Sequence, residues 1–341
     1  HVRSRRQRQM CIRDRDNGGV VMPLFLKPIF HEKVWGGSKL KTFGYNIPNE
    51  RIGECWGISA HPNGKSEIEN GHYAGQTLDQ VWREHRELFG EFPSKDFPLM
   101  AKIVDANAPL SIHVHPDDSY AYENENGQYG KSECWYIIEA DDNAEITIGT
   151  HAQSREEFEN QLKDGSFEKY LRTVKVQPGD FYFVPAGTVH SIGAGIMAYE
   201  VMQSSDISYR IYDYQRKLHN KKRELSVSKA LDVMDYSNEL PNIAPQNEVI
   251  ENHNCTHIVS SDFFTMVKWE ITGTLNYMKP REFCLISVLE GKGKIIVDGD
   301  IFELEKGTNF VLTSEDLDSV FEGDFTLIIS SVSYTHLRAH E

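Results

Sequence analysis

One thirteen-residue pattern occurs twice in this chain. Residues 178–190 read PGDFYFVPAGTVH, and residues 306–318 read KGTNFVLTSEDLD. Each copy follows an apolar strand-like run and a Gly/Asp turn, and IIEAD at 137–141 is likewise echoed by VLEGK at 288–292. A repeated unit of short alternating strands and tight turns restricts the fold to an architecture built twice from β-structure. We therefore expect a mainly β protein of two jelly-roll β-barrels. The copies diverge where chemistry would sit, His190 falling opposite Asp318, so the first barrel should carry a site and the second none.

The remaining segments fit that frame. Strands are expected at 99–104, 110–115, 134–138, 144–149, 196–203 and 207–212, and Val174 to Val184 reads as a hairpin broken by Pro178-Gly179-Asp180. Three helices interrupt the strands. One opens at Thr77 with Gln80 as a capping box and ends at Gly90. A helical insertion opens at Ser154 with Glu157 and runs to about Leu171, and a short helix spans Ser226 to Met234. Beyond a linker at Pro241–Asn247, β signals return with turns at Gly291-Lys292-Gly293, Asp298-Gly299-Asp300 and Glu305-Lys306-Gly307.

The 341 residues suit about two core units. We expect a catalytic barrel with helical insertions over 22–240 and a second, metal-free barrel over 241–331. Residues 1–21 hold six Arg and two Asp with no apolar core of a secretory signal, and residues 22–26 (MPLFL) read as a natural start. The basic leader 1–21 and the tail 332–341 are expected to be non-native or disordered and to leave the core untouched. No apolar run approaches the roughly 20 residues a membrane helix needs. The net charge of −15, with 36 Lys+Arg against 51 Asp+Glu, argues against a nucleic-acid partner. Five cysteines, an odd number without a CxxC spacing, read as free thiols in a cytoplasmic protein.

The sharpest chemical signal is His113-Val114-His115. Residues i and i+2 of a strand share a face, so the two imidazoles would converge while Val114 turns away. Glu133 precedes an apolar strand, and His190 follows the turn at 185–187. This order, His-x-His, Glu, then His after G-D-x-x-x-x-P-x-G-x-x-H, resembles the metal site of cupins. Within the cupins, the chain resembles the type I mannose-6-phosphate isomerases of the short bacterial kind. The matching stretches are LSIHVHPDD at 110–118, KSECWY at 131–136, VPAGTVHSI at 184–192 and SYRIYDY at 208–214, together with Trp35-Gly36-Gly37.

The resemblance implies one Zn2+ per chain held by His115, Glu133 and His190. The family usually has Gln where His113 stands, and two placements stay open: a fourth ligand, or a residue behind the ligands. It also implies interconversion of mannose 6-phosphate and fructose 6-phosphate by proton transfer through an enediol(ate), with a metal to hold the oxygen charge. Arg210 matches the family's catalytic arginine, and a guanidinium cannot lose its proton. Lys131 and Lys102 match lysines of its pocket. Lys131 is a candidate for proton exchange, or a countercharge to Glu133. Lys102, in the apolar run LMAKIV, would bind substrate oxygens or phosphate, or face water from an edge strand. Glu200 is an inward candidate for acid–base work or a salt bridge at the substrate. No Gly-rich phosphate loop occurs, so basic side chains and hydroxyls such as Ser111 would hold the phosphate.

The other histidines lack ligand spacing, and the basic run 216–223 reads as a solvated face. A cupin Fe(II) oxygenase would use the same ligands, and a non-catalytic sugar-binding cupin is a third class. Arg210, the lysines and the two-barrel layout favour the isomerase. We expect a monomer or weak homodimer. Removing the leader's net +4 from −15 leaves −19 on residues 22–331. A phosphorylated sugar therefore calls for a small positive pocket in a negative surface.

Overall fold

The computed structural model describes residues 22–333 apart from 219, 220, 238, 240, 242, 281 and 317. The leader and the tail from residue 334 lie outside the described residues. The tail boundary itself shifts, because Val332 pairs with Phe264 inside a strand and is buried.

Alternation along each strand sorts side chains onto two faces, and the segment Glu133–Ala140 shows the result. Trp135 and Ile137 enter the core between two facing sheets, whereas Cys134 enters a separate core on the other side. The first of these sheets has six antiparallel strands, ordered Phe181–Val184, Glu133–Ala140, Ile196–Gln203, Leu99–Ala106, Ile29–Gly37, Ile52–Ile58. The second has five, ordered Leu171–Lys175, Glu145–Thr150, His190–Ile192, Ile112–Val114, Tyr209–Tyr212. Together they make the first barrel.

Helices cover the outside of the five-stranded sheet. The insertion helix Arg155–Asp164 begins as expected, Ser154 Oγ accepting the Glu157 N–H at 3.2 Å, and Gly165 ends it in the left-handed conformation. Phe158 and Phe167 of the insertion, with Ala230 and Leu231 of the helix Val227–Val233, pack on Ile112, Val114, Val189 and Ile211.

The second barrel is an eight-stranded open sheet wrapped around Trp269, Ile286, Phe310, Phe321, Phe325 and Leu327. Seven of its strands lie between Gln246 and Val332; the eighth is Leu24–Phe25, which pairs with Asn309–Leu312. The two barrels are thus interlocked. One shared core joins Ile103, Cys134, Tyr199 and Val201 of the six-stranded sheet to Phe264, Phe283, Leu285 and Ile328 of the other.

Three local expectations are corrected. Val174–Val184 is no hairpin: Leu171–Lys175 pairs in the five-stranded sheet and Phe181–Val184 in the six-stranded one, so the Pro178-Gly179 turn crosses between layers. Thr77 starts the helix Leu78–Glu84 without a capping bond, because its hydroxyl donates to Asp79 Oδ1 at 2.6 Å instead. Gly291-Lys292-Gly293 is no turn, since the strand Cys284–Val297 runs through it with a register shift between Val288 and Glu290.

Candidate functional site

The register brings the predicted residues together. On the five-stranded sheet His190 stands opposite His113, and Arg210 stands opposite His113 on its other side. On the facing sheet Glu200 stands opposite both Trp135 and Lys102, and Met202 stands opposite Glu133. The inner faces of two sheets therefore contribute three imidazoles, two carboxylates, an ammonium and a guanidinium to one place.

Each imidazole is held the same way. His113 Nδ1 donates to Ser111 O at 2.7 Å, His115 Nδ1 to Ile207 O at 2.6 Å and His190 Nδ1 to Thr188 O at 2.8 Å. A carbonyl can only accept, so Nδ1 carries the proton and Nε2 is left with its lone pair. Ring atoms of the three lie within 4.8 Å of one another. Glu133 closes the group, with Oε2 3.4 Å from His115 Nε2 and Oε1 3.2 Å from His190 Nε2.

Both of those Nε2 atoms are buried without a hydrogen-bond partner, which is the condition of a ligand atom awaiting an ion. Burial drives two of the imidazoles toward neutrality: His115 is pulled down to about 3 by burial and then by Lys131, and His113 well below its usual value by burial and the other two rings. Neutral imidazoles and a carboxylate at this spacing fit a divalent metal such as zinc.

Lys131 lies in the loop before the strand rather than on it, yet its Nζ reaches Glu133 Oε2 at 2.8 Å and Glu200 Oε1 at 3.4 Å. Lys102 is central and buried, not on an edge facing water. Its ammonium sits 3.2 Å from Glu200 and 3.7 Å from Glu54, and those carboxylates hold it above the usual lysine range despite burial. Burial and the Glu133 charge push the Glu200 carboxyl upward. Ser111 is buried beside His113. Arg210 is half-buried, and its guanidinium makes no hydrogen bond or ion pair among the described residues.

The structure adds residues the sequence reading passed over. Glu54 is buried, accepts Trp56 Nε1 at 2.8 Å, and pairs with Lys33 at 3.1 Å as well as Lys102. Its signal was the one that exposed Lys102, a charge inside an apolar strand. His61 is buried 3.4 Å from Asp206. Within the basic run, Arg216 and Arg223 both bind Asp213 instead of facing solvent freely.

Similarity to known proteins runs along the whole site. Residues 24–136 match the catalytic domain model of type I phosphomannose isomerase, and residues 254–332 match the cupin domain model of mannose-6-phosphate isomerase. The chain is 45% identical over 310 residues to the mannose-6-phosphate isomerase of Streptococcus mutans, covering 90% of this chain and 98% of that one. It is 44% identical over 291 residues to the mannose-6-phosphate isomerase ManA of Bacillus subtilis, covering 85% and 92%. A crystal structure of the Bacillus subtilis mannose 6-phosphate isomerase superimposes with a TM-score of 0.88 at 43% identity, covering 90% of this chain and 99% of the other. The two-barrel cupin fold recurs at 15% identity, with a TM-score of 0.74, in phosphomannose isomerase variants from Salmonella typhimurium. The chain belongs to the type I phosphomannose isomerases.

Proposed function

We propose that this chain interconverts mannose 6-phosphate and fructose 6-phosphate at the mouth of its first barrel, with one zinc ion held by His115, Glu133, His190 and His113. The carrying observation is the set of buried Nε2 lone pairs meeting Glu133 beside an unpaired guanidinium. Bound there, zinc would act as a Lewis acid on substrate oxygens and hold charge that develops on them without redox chemistry.

The chain's own groups do the rest. Arg210 brings a fixed positive charge with no hydrogen-bond or ion-pair partner among the described residues, so the oxyanion of an enediolate is its available counterion. Lys131, anchored on Glu133 and Glu200, is positioned to exchange a proton with substrate oxygens. Lys102 and Glu200 line the six-stranded side, Ser111 lies beside His113 on the five-stranded side, and together they orient hydroxyls and phosphate. The buried free thiols Cys55, Cys134, Cys255 and Cys284 fit a reducing cytoplasm, and no helix of the described residues is long and apolar enough to cross a membrane.

The test is a coupled assay of fructose 6-phosphate conversion to mannose 6-phosphate by purified, zinc-loaded protein, repeated after chelation. Turnover that chelation abolishes and zinc restores is expected. No turnover by the zinc-loaded protein overturns the assignment, and full activity in the chelated protein overturns the metal's part in it.

A further inference from the structure

The outer edge of the second barrel carries three metal-binding side chains that the first barrel's site does not use. Gln246–Ile250 is an edge strand paired only with His253–Ser260. In that register Glu248 stands opposite Cys255, and His257 lies two residues on, so all three side chains share a face. His257 Nε2 is 2.7 Å from Glu248 Oε1 and 3.7 Å from Cys255 Sγ, and the ligand atoms all lie within 4.8 Å of one another. Cys255 is buried while Glu248 and His257 are exposed. The thiol therefore forms a floor, and the imidazole and carboxylate form a rim open to solvent.

A thiol, an imidazole and a carboxylate in contact can also be read as a nucleophile relay. A relay needs the ring to take the thiol proton on one nitrogen and hold the acid with the other. Here one nitrogen, Nε2, faces both partners, so the relay is not formed. A surface His–Glu ion pair accounts for the 2.7 Å contact, and packing in the barrel core accounts for the burial of Cys255 but not for the 3.7 Å approach of its sulfur to the ring. Three donor atoms of these kinds within 4.8 Å of one another are what a metal ion requires. The i, i+2 spacing of Cys255 and His257 repeats the device of His113 and His115.

We propose that Glu248, Cys255 and His257 form a second metal site, which takes a borderline-soft divalent cation such as zinc and leaves one coordination position open to solvent. Thiolate with imidazole selects d-block cations over magnesium and calcium, which prefer oxygen alone. Binding makes the Cys255 sulfur–metal bond and releases the thiol proton to solvent, so the site gains one negative ligand as the ion enters.

Cobalt(II) in the full chain separates the two sites. The first barrel's candidate ligands are nitrogen and oxygen only, and Cys134 points into the core behind them. A sulfur-to-cobalt charge-transfer band therefore reports the edge site alone. Wild type should show this band and bind two cobalt ions per chain. Cys255→Ser should lose the band and bind one, with the isomerase turnover of wild type. His257→Asn, a surface change, should keep the fold and lower cobalt retention at this site at least about tenfold. Wild type that binds a single ion without the band overturns the proposal, as does a band that survives in Cys255→Ser or retention unchanged in His257→Asn.

Discussion

Arg210 and Lys102 are both cations of the site, but their surroundings make opposite demands on stability. Lys102 is buried between Glu54 and Glu200, so removing its charge leaves Glu54 to Lys33 and Glu200 to the more distant Lys131 inside a buried network. Breaking such a buried network costs about 3–5 kcal/mol. Arg210 has no partner to orphan among the described residues. We expect Lys102→Ala to lower the unfolding free energy measured in urea by an amount of that order. Arg210→Ala should melt at or above the wild-type temperature while kcat falls about 10²–10³-fold, the usual cost of losing one charge-stabilising donor. A stable Lys102→Ala, or an Arg210→Ala that keeps its rate within a few fold, contradicts these assignments. Residue identities of this kind were legible where the signal was local: His-x-His on a strand, His190 after its turn, a lysine in an apolar run. Glu54 was not, because its partner Lys102 is 48 residues away and is supplied by sheet register, and neither was Asp206, whose partner His61 is more distant still.

At the scale of elements, the strand Ile52–Ile58 sets how closely the two barrels approach. A Cβ at Gly57 would lie 2.4 Å from Asn309 Oδ1. Asn309 cannot give way freely. Its amide donates to Gly307 O at 2.9 Å and Tyr45 Oη at 3.2 Å, and its oxygen accepts Ser287 Oγ at 2.6 Å, which in turn accepts Tyr199 Oη at 2.9 Å. This polar chain crosses the shared core and is satisfied throughout, so disturbing it has a large cost. Gly57→Ala should destabilise the protein by about 1–3 kcal/mol in urea denaturation, the range for overpacking. Combined with Asn309→Ala the loss should be smaller than the two single losses together, since the second change removes the obstacle. Strict additivity would show that the two positions do not meet. Element types were readable because alternation and Ser154 capping are local. Partners were not: Val174–Val184 has every local mark of a hairpin, and only the stacking of two sheets decides that its halves join different layers. At Thr77 the competing acceptor, Asp79, is fixed by Lys65 and Arg83, a contact that no pattern at 77–80 records.

For the whole molecule, the duplication in the sequence foretold two barrels, but not that Leu24–Phe25 would add a strand to the second one or that both would share a core. The same scale settles how the charge acts. Residues 22–331 carry −19, and a small positive pocket made by zinc with Lys102, Lys131 and Arg210 was expected within that surface. Among the described side chains alone the charges balance: Lys102, Lys131 and Arg210 are met by Glu54, Glu133 and Glu200. Under the proposed function, the net attraction for a sugar phosphate would then come from a bound cation, acting over a few ångströms, while the surface repels the dianion from farther away. Salt screens the long-range part first, the Debye length falling from about 30 Å at 0.01 M to about 8 Å at 0.15 M. Raising ionic strength over that range with a non-coordinating salt should therefore raise kcat/KM for fructose 6-phosphate, by about two- to threefold, with kcat unchanged. Attractive steering would give the reverse, a steep fall with salt. A fall would mean that positive potential already dominates the barrel mouth, and that the charge balance drawn from these six side chains omits a cation the substrate meets on its way in.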